Sequence, residues 1–135
     1  RDCLLSRGLG DVYKRQFQGG IKTAAGKGRI VPIHPKILPF VQAWAQHGHK
    51  YLLTADGKKL SKQKYYECWA EVMDRIGADK TPHEARHTFE TSLDNAKANR
   101  KCIDLLMGHK SKDVGNRVYN HKTLEQLRET ILLLE

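Results

Sequence analysis

Apolar residues along the 135-residue chain fall into two spacings, and the change from one to the other sets out its elements. Phe17 to Thr23 and Arg29 to Ile33 are short runs on either side of Gly26-Lys27-Gly28, which predicts two strands around a glycine-rich turn. Pro32 has no N–H, so it confines the second strand to an edge or to a place where no donor is needed. From Pro35 to Gln46 the period becomes helical, with Ile37, Leu38, Val41, Trp44 and Ala45 on one side. Tyr51 to Thr54 reads as a short strand or extended link before an Asp56-Gly57 turn.

Ser61 caps a longer helix, Lys62 to Ile76, stopped by Gly77. Its Tyr65, Trp69, Val72, Met73 and Ile76 have helical spacing, and the aromatics Tyr65 and Trp69 are expected in the core, base stacking being the alternative. Thr81-Pro82-His83-Glu84 is a capping box with proline in the first helical position; the helix it opens runs to about Asn95, with Phe89 and Leu93 inward. Arg100 to Met107 is a short helix, and Gly108 is its left-handed C-cap. Ser111 caps a turn of helix leading to Val118 and Tyr119. Thr123-Leu124-Glu125-Gln126 is a second capping box, opening a terminal helix with Leu124, Leu127, Ile131 and Leu134 on one stripe. The expected architecture is mainly α with a small antiparallel β-hairpin or three-stranded sheet, an α+β fold.

Residues 1–16, RDCLLSRGLGDVYKRQ, carry no sustained period. They resemble translated adaptor or assembly-junction sequence and are set aside as a non-native leader, the alternative being a genuine N-terminal tail. Residues 17–135 make one domain.

Charge sharpens the picture. Lys and Arg number 24 against 15 acids, a net +9; two of those charges lie in residues 1–16, leaving +7 for the rest. Such an excess suggests a polyanion partner, most simply nucleic acid, against the plain alternative of a solvated basic surface. No apolar run approaches membrane-spanning length. Cys3, Cys68 and Cys102 are odd in number and lack metal-ligand spacing, which fits reduced thiols in a cytoplasmic setting.

Groups able to do chemistry gather between Thr81 and Tyr119. His83 and Arg86 are three apart, on one face of a helix's first turn, where free N–H groups and the helix dipole favour a phosphate oxygen. His109 follows the Gly108 cap, and Tyr119 comes ten residues later. Upstream, Lys22, Lys27 and Arg29 give the hairpin a basic edge suited to a phosphate backbone, or simply to guarding an exposed strand edge. Breaking a phosphodiester without metal needs a nucleophile, cations for the non-bridging oxygens and a proton for the leaving oxygen. A phenol titrates near ~10, so tyrosine attacks only when cations surround it. Arginine supplies paired donors, histidine donates or shuttles a proton, and a desolvated lysine can protonate an alkoxide.

P-H-x-x-R-H-T-F from Pro82, L-x-G-H-K-S from Leu106 and V-Y-x-H from Val118, with GGIKTAAGKGRIVPIHPKI upstream, resemble in order and spacing the tyrosine recombinase (phage integrase) family. The matches run from about Gln18 to the C-terminus. The resemblance implies a truncated catalytic-domain fold and site-specific recombination or integration of double-stranded DNA through a 3′-phosphotyrosyl intermediate. It implies Tyr119 as nucleophile, Arg86 as phosphate clamp, His83 as acid–base partner, His109 as donor to a phosphate oxygen and Lys22 as the acid for the leaving oxygen, with Lys27 the alternative. Lys27, Arg29 and Lys110 would contact DNA. No metal or other cofactor is implied, and self-association on DNA through the C-terminal helix is expected.

One departure matters. The family has another active-site arginine upstream of the hairpin, usually after Thr-Gly, and nothing here resembles that stretch; Arg7 and Arg15 lie in the wrong surroundings. The expectation is therefore a C-terminal part of a catalytic domain, inactive alone. Two other readings stand beside it. One is a non-catalytic DNA-binding module. The other is a zinc metallopeptidase through His83-Glu84-x-x-His87, weakened because Glu84 already has a capping role.

Overall fold

A computed structural model of the protein describes residues 15–20, 26–48, 51–109 and 122–134. A hairpin of β1 (Gln16–Gly19) and β2 (Arg29–Pro32) comes first, antiparallel, with Phe17 opposite Val31 and Gly19 opposite Arg29. Arg29 N–H donates to the Gly26 carbonyl at 3.3 Å, closing the turn on the β2 side. Pro32 sits at the end of a two-stranded sheet, so its missing N–H breaks no ladder. Strand β1 starts one residue earlier than its apolar pattern suggests, with Gln16 buried.

Helix α1 (Leu38–Gln46) begins after a turn at 35–37 rather than at Pro35. There the Lys36 N–H donates to Nδ1 of His34, an interaction that holds a turn instead of a helix. A second hairpin, β3 (Thr54–Ala55) with β4 (Lys58–Lys59), turns at Asp56-Gly57. Both turn residues have positive φ, 51° and 73°, as the tight two-residue turn with matching twist demands. Among the described residues the β structure is thus two separate two-stranded sheets, not one of three strands.

Helix α2 (Lys62–Arg75) is capped by Ser61, whose hydroxyl accepts from the Lys64 N–H at 3.1 Å. Helices α3 (Pro82–Asn95), α4 (Arg100–Met107) and α5 (Leu124–Ile131) follow among the described residues. Both predicted capping boxes, Thr81 with Glu84 and Thr123 with Gln126, are formed in full.

The core belongs to the second half of the chain. Leu93 of α3, Cys102, Ile103, Leu106 and Met107 of α4, and Leu127 and Ile131 of α5 are buried together, with Val31 of β2 packed against them. α4 lies at the centre, touching β2, α3 and α5. Neither α1 nor α2 buries a residue fully. This corrects the expectation for α2: Tyr65, Trp69 and Met73 are half-buried, while Val72 and Ile76 are exposed, Ile76 at 64%. A helical period identifies an apolar face but not what covers it, and here Tyr65, Trp69 and Val72 of that face line an open groove with Trp44, Leu52 and Leu53. The Trp69 indole N–H donates to the Lys80 carbonyl at 2.5 Å, tying α2 to the segment that enters α3.

Candidate active site

The site is assembled by two helix ends and one strand. α3 starts at Thr81, whose hydroxyl accepts from the Glu84 N–H while the Glu84 carboxylate accepts from the Thr81 N–H at 2.8 Å. Those bonds favour the ionised carboxylate and hold the Glu84 pKa below its ordinary value, the Thr81 backbone N–H being the larger cause. This cap fixes the first turn and so aims His83, Arg86 and His87. α4 ends at Met107, and Gly108 takes the left-handed conformation (φ 69°) that ends the helix and turns the chain into His109.

Arg86 and His109, 23 positions apart in sequence, meet at this junction. Nη2 of Arg86 lies 3.3 Å from Nε2 of His109 and also donates to the Met107 carbonyl. Nδ1 of His109 faces Glu90 at 3.9 Å, and Glu90 accepts from Arg100 at 2.8 Å. That bond raises the Arg100 pKa. A guanidinium has no acceptor, so it must donate to Nε2 of His109. The imidazole thus stands between the Arg86 guanidinium on its Nε2 side and the Glu90 carboxylate on its Nδ1 side. Glu90 was missed by sequence reasoning, although it lies one helical turn after Arg86 on the same face, which was a usable signal.

Arg29 enters the same junction from β2. Its Nη1 donates to the Met107 carbonyl at 2.8 Å, so two guanidinium groups share one oxygen. Burial lowers the Arg29 pKa, and the charge of Arg86 lowers it further. Arg29 therefore turns inward, whereas Lys27 is exposed on the hairpin turn.

His83 makes its contact with His87: the Nε2 atoms are 3.1 Å apart and the rings meet edge to face at 4.6 Å. Two imidazoles could share a metal ion, yet Glu84 is engaged in the cap, and among the described residues no group of three or more His, Cys, Asp or Glu could hold one. Tyr119, Lys22 and Lys110 lie outside the described residues, as does the Ser111 turn, and so does the leader apart from Arg15 and Gln16. No helix among the described residues is long and apolar enough to cross a membrane.

The sequence profile of the phage integrase family matches residues 11–126. This chain belongs to the phage integrase family. Among curated proteins it is similar to tyrosine recombinase XerD of Proteus mirabilis, 27% identical over 141 residues, a match covering 93% of this chain and 44% of that protein. It is 34% identical to XerD of Corynebacterium glutamicum over 83 residues, covering 60% of this chain and 27% of the relative. It is 29% identical to tyrosine recombinase XerA of Thermococcus kodakarensis over 122 residues, covering 83% and 43%. The chain thus spans less than half the length of these relatives. No solved structure matches it. A mainly helical fold with small antiparallel sheets agrees with part of the catalytic domain of this integrase family, and the kinship leaves the five-letter zinc motif of the peptidase reading without support.

Proposed function

We propose that this chain provides the phosphate-binding and nucleophilic part of a site-specific DNA recombinase acting on double-stranded DNA. The observation that carries the reading is the meeting of Arg86 with His109 at 3.3 Å, which unites the two basic motifs in one cationic surface. Paired guanidinium donors with a histidine beside them suit the non-bridging oxygens of a phosphodiester.

In the proposed reaction the Tyr119 oxygen attacks the scissile phosphorus and His83 accepts the phenolic proton. The bond from phosphorus to the 5′ oxygen breaks, and Lys22 protonates that oxygen, with Lys27 the alternative. A 3′-phosphotyrosyl link remains, and attack by a 5′-hydroxyl reverses the sequence on the same or another strand. Bond energy is conserved in the covalent link, so the reading invokes no cofactor. Lys27 and Lys110 would follow the flanking backbone, and the terminal helix would mediate self-association on DNA.

Reading the chain as lacking the family's upstream arginine, we propose that it binds DNA without cleaving it unaided. Phosphate-clamping groups act as a unit, and losing one costs a rate factor of about a hundred to a thousand. A nicked suicide duplex tests this. The chain alone should form no covalent adduct, whereas a longer form carrying the upstream arginine should form one that vanishes in Tyr119→Phe and falls sharply in Arg86→Ala. An adduct that survives Tyr119→Phe would overturn the assignment of the nucleophile. A non-catalytic DNA-binding role is the second reading, favoured by the same missing arginine, and it predicts no adduct in either form.

A further inference from the structure

Arg29 does something its strand position does not require. Nothing in the β1–β2 register calls for its guanidinium to leave the hairpin edge, yet it reaches the end of α4 and donates to Met107. Its Nε is buried with no hydrogen-bond partner among the described residues. Neither Arg29 nor Arg86 forms an ion pair among those residues, and the two guanidinium groups share one neutral carbonyl.

We propose that Arg29 is a positioning residue for the anion site: it holds the Met107 carbonyl so that Arg86 can leave that oxygen for a phosphate. The inference rests on the phosphate-binding reading of Arg86 and His109. A carbonyl oxygen has two lone pairs and accepts from both guanidinium groups in the free protein. If Arg86 were its one donor, moving to a phosphate would strip a partly buried acceptor, a loss comparable to that of a hydrogen bond. With Arg29 in place the carbonyl stays paired while Arg86 turns outward. Repulsion between the two guanidinium groups favours that movement.

The same contact keeps three pieces in register. Met107 is the last residue of α4, Gly108 makes the turn, and His109 is the next side chain, so holding the Met107 carbonyl fixes where the imidazole stands. On the hairpin side, Arg29 lies two residues after Lys27, and the Gly26 backbone packs within 2.9 Å of where a Gly108 Cβ would sit. One side chain thus links the lysine-bearing turn to the residues that meet a phosphate.

Arg29→Lys and Arg29→Gln separate this role from a direct phosphate contact. Binding of a labelled duplex is followed by fluorescence anisotropy over a series of KCl concentrations. The arginine and histidine side-chain NMR signals of the DNA-free protein are recorded alongside, with circular dichroism to check the fold. Both variants should weaken binding about threefold to tenfold at every salt concentration, the factor for one buried hydrogen bond. The slope against salt should stay unchanged, and the Arg86 and His109 signals should move before any DNA is added. Arg29→Lys keeps the charge and most of the bulk, so it tests the role even where Arg29→Gln fails to fold. A slope reduced by about one in Arg29→Gln and restored in Arg29→Lys would mark a direct phosphate contact and overturn the proposal. Unchanged affinity would overturn it too. Absence of duplex binding by the unaltered chain would defeat the phosphate-binding reading itself; unmoved Arg86 and His109 signals would then separately rule out positioning by Arg29.

Discussion

Gly108 and Arg29 occupy one small space: a Cβ built on Gly108 would lie 2.7 Å from Nη1 of Arg29 and 2.9 Å from the Gly26 Cα. Gly77 makes the natural comparison, since it also has a positive φ (64°) but nothing within 4 Å of such a Cβ. Alanine at Gly77 should therefore cost only the left-handed backbone penalty, about 1 kcal/mol. Alanine at Gly108 should cost more, roughly 2–3 kcal/mol, because backbone must shift as well. Urea unfolding of the two variants measures the gap, and equal costs would mean that the hairpin turn does not dock on the end of α4.

The capping box of α3 should make stability depend on acid. The folded pKa of Glu84 is lowered by the Thr81 N–H and hydroxyl, so the contribution of its carboxylate is present above the ordinary value of 4.5. It disappears as pH falls through the depressed folded value, because protonation removes the better acceptor. In Glu84→Gln the fall in stability between about pH 5 and pH 3 should be shallower than in the parent. Thr81→Ala removes the cap itself and should cost about 1 kcal/mol at neutral pH. Thermal melts across that range decide both points.

Core and surface should respond unequally. Ile103 is fully buried, so Ile103→Ala should lose about 2–5 kcal/mol through lost burial and the cavity left behind. Val72 is 50% exposed, and Val72→Ala should stay within about 0.5 kcal/mol. A large loss at Val72 in chemical denaturation would mean that the α2 face is covered in solution.

Protein prepared without added zinc should contain none in stoichiometric amount, and a chelator should leave its melting temperature unchanged. His83 and His87 supply two imidazole donors, while Glu84 is engaged in the cap. Elemental analysis showing one zinc per chain would contradict it.

Local signals made most of α3 and α4 readable from sequence. Thr81-Pro82 with Glu84, and Gly108 after Met107, act within a few residues, and each forms as its chemistry requires. The motifs also named Arg86 and His109, which do meet. The inward turn of Arg29 was not legible, because a strand address says nothing about which distant carbonyl its side chain reaches. The shallow burial of α2 escaped for a related reason: spacing marks a face, and only the other elements decide whether it is covered. Pro35 suited a helix start, but His34 took the Lys36 N–H and delayed α1 to Leu38.

The uneven placing of the core has a consequence for how the protein opens. Amide protons of α3 and α4, packed around Leu93 and Ile103, should exchange with solvent deuterium only through large unfolding events, whereas those of α1 and α2 should need only local fraying. Gentle warming should thus loosen α1 and α2 while Arg86 and His109 still face each other and the β1–β2 hairpin stays on α4. Among the described residues, the junction that gathers positive charge should therefore be among the last parts to come apart.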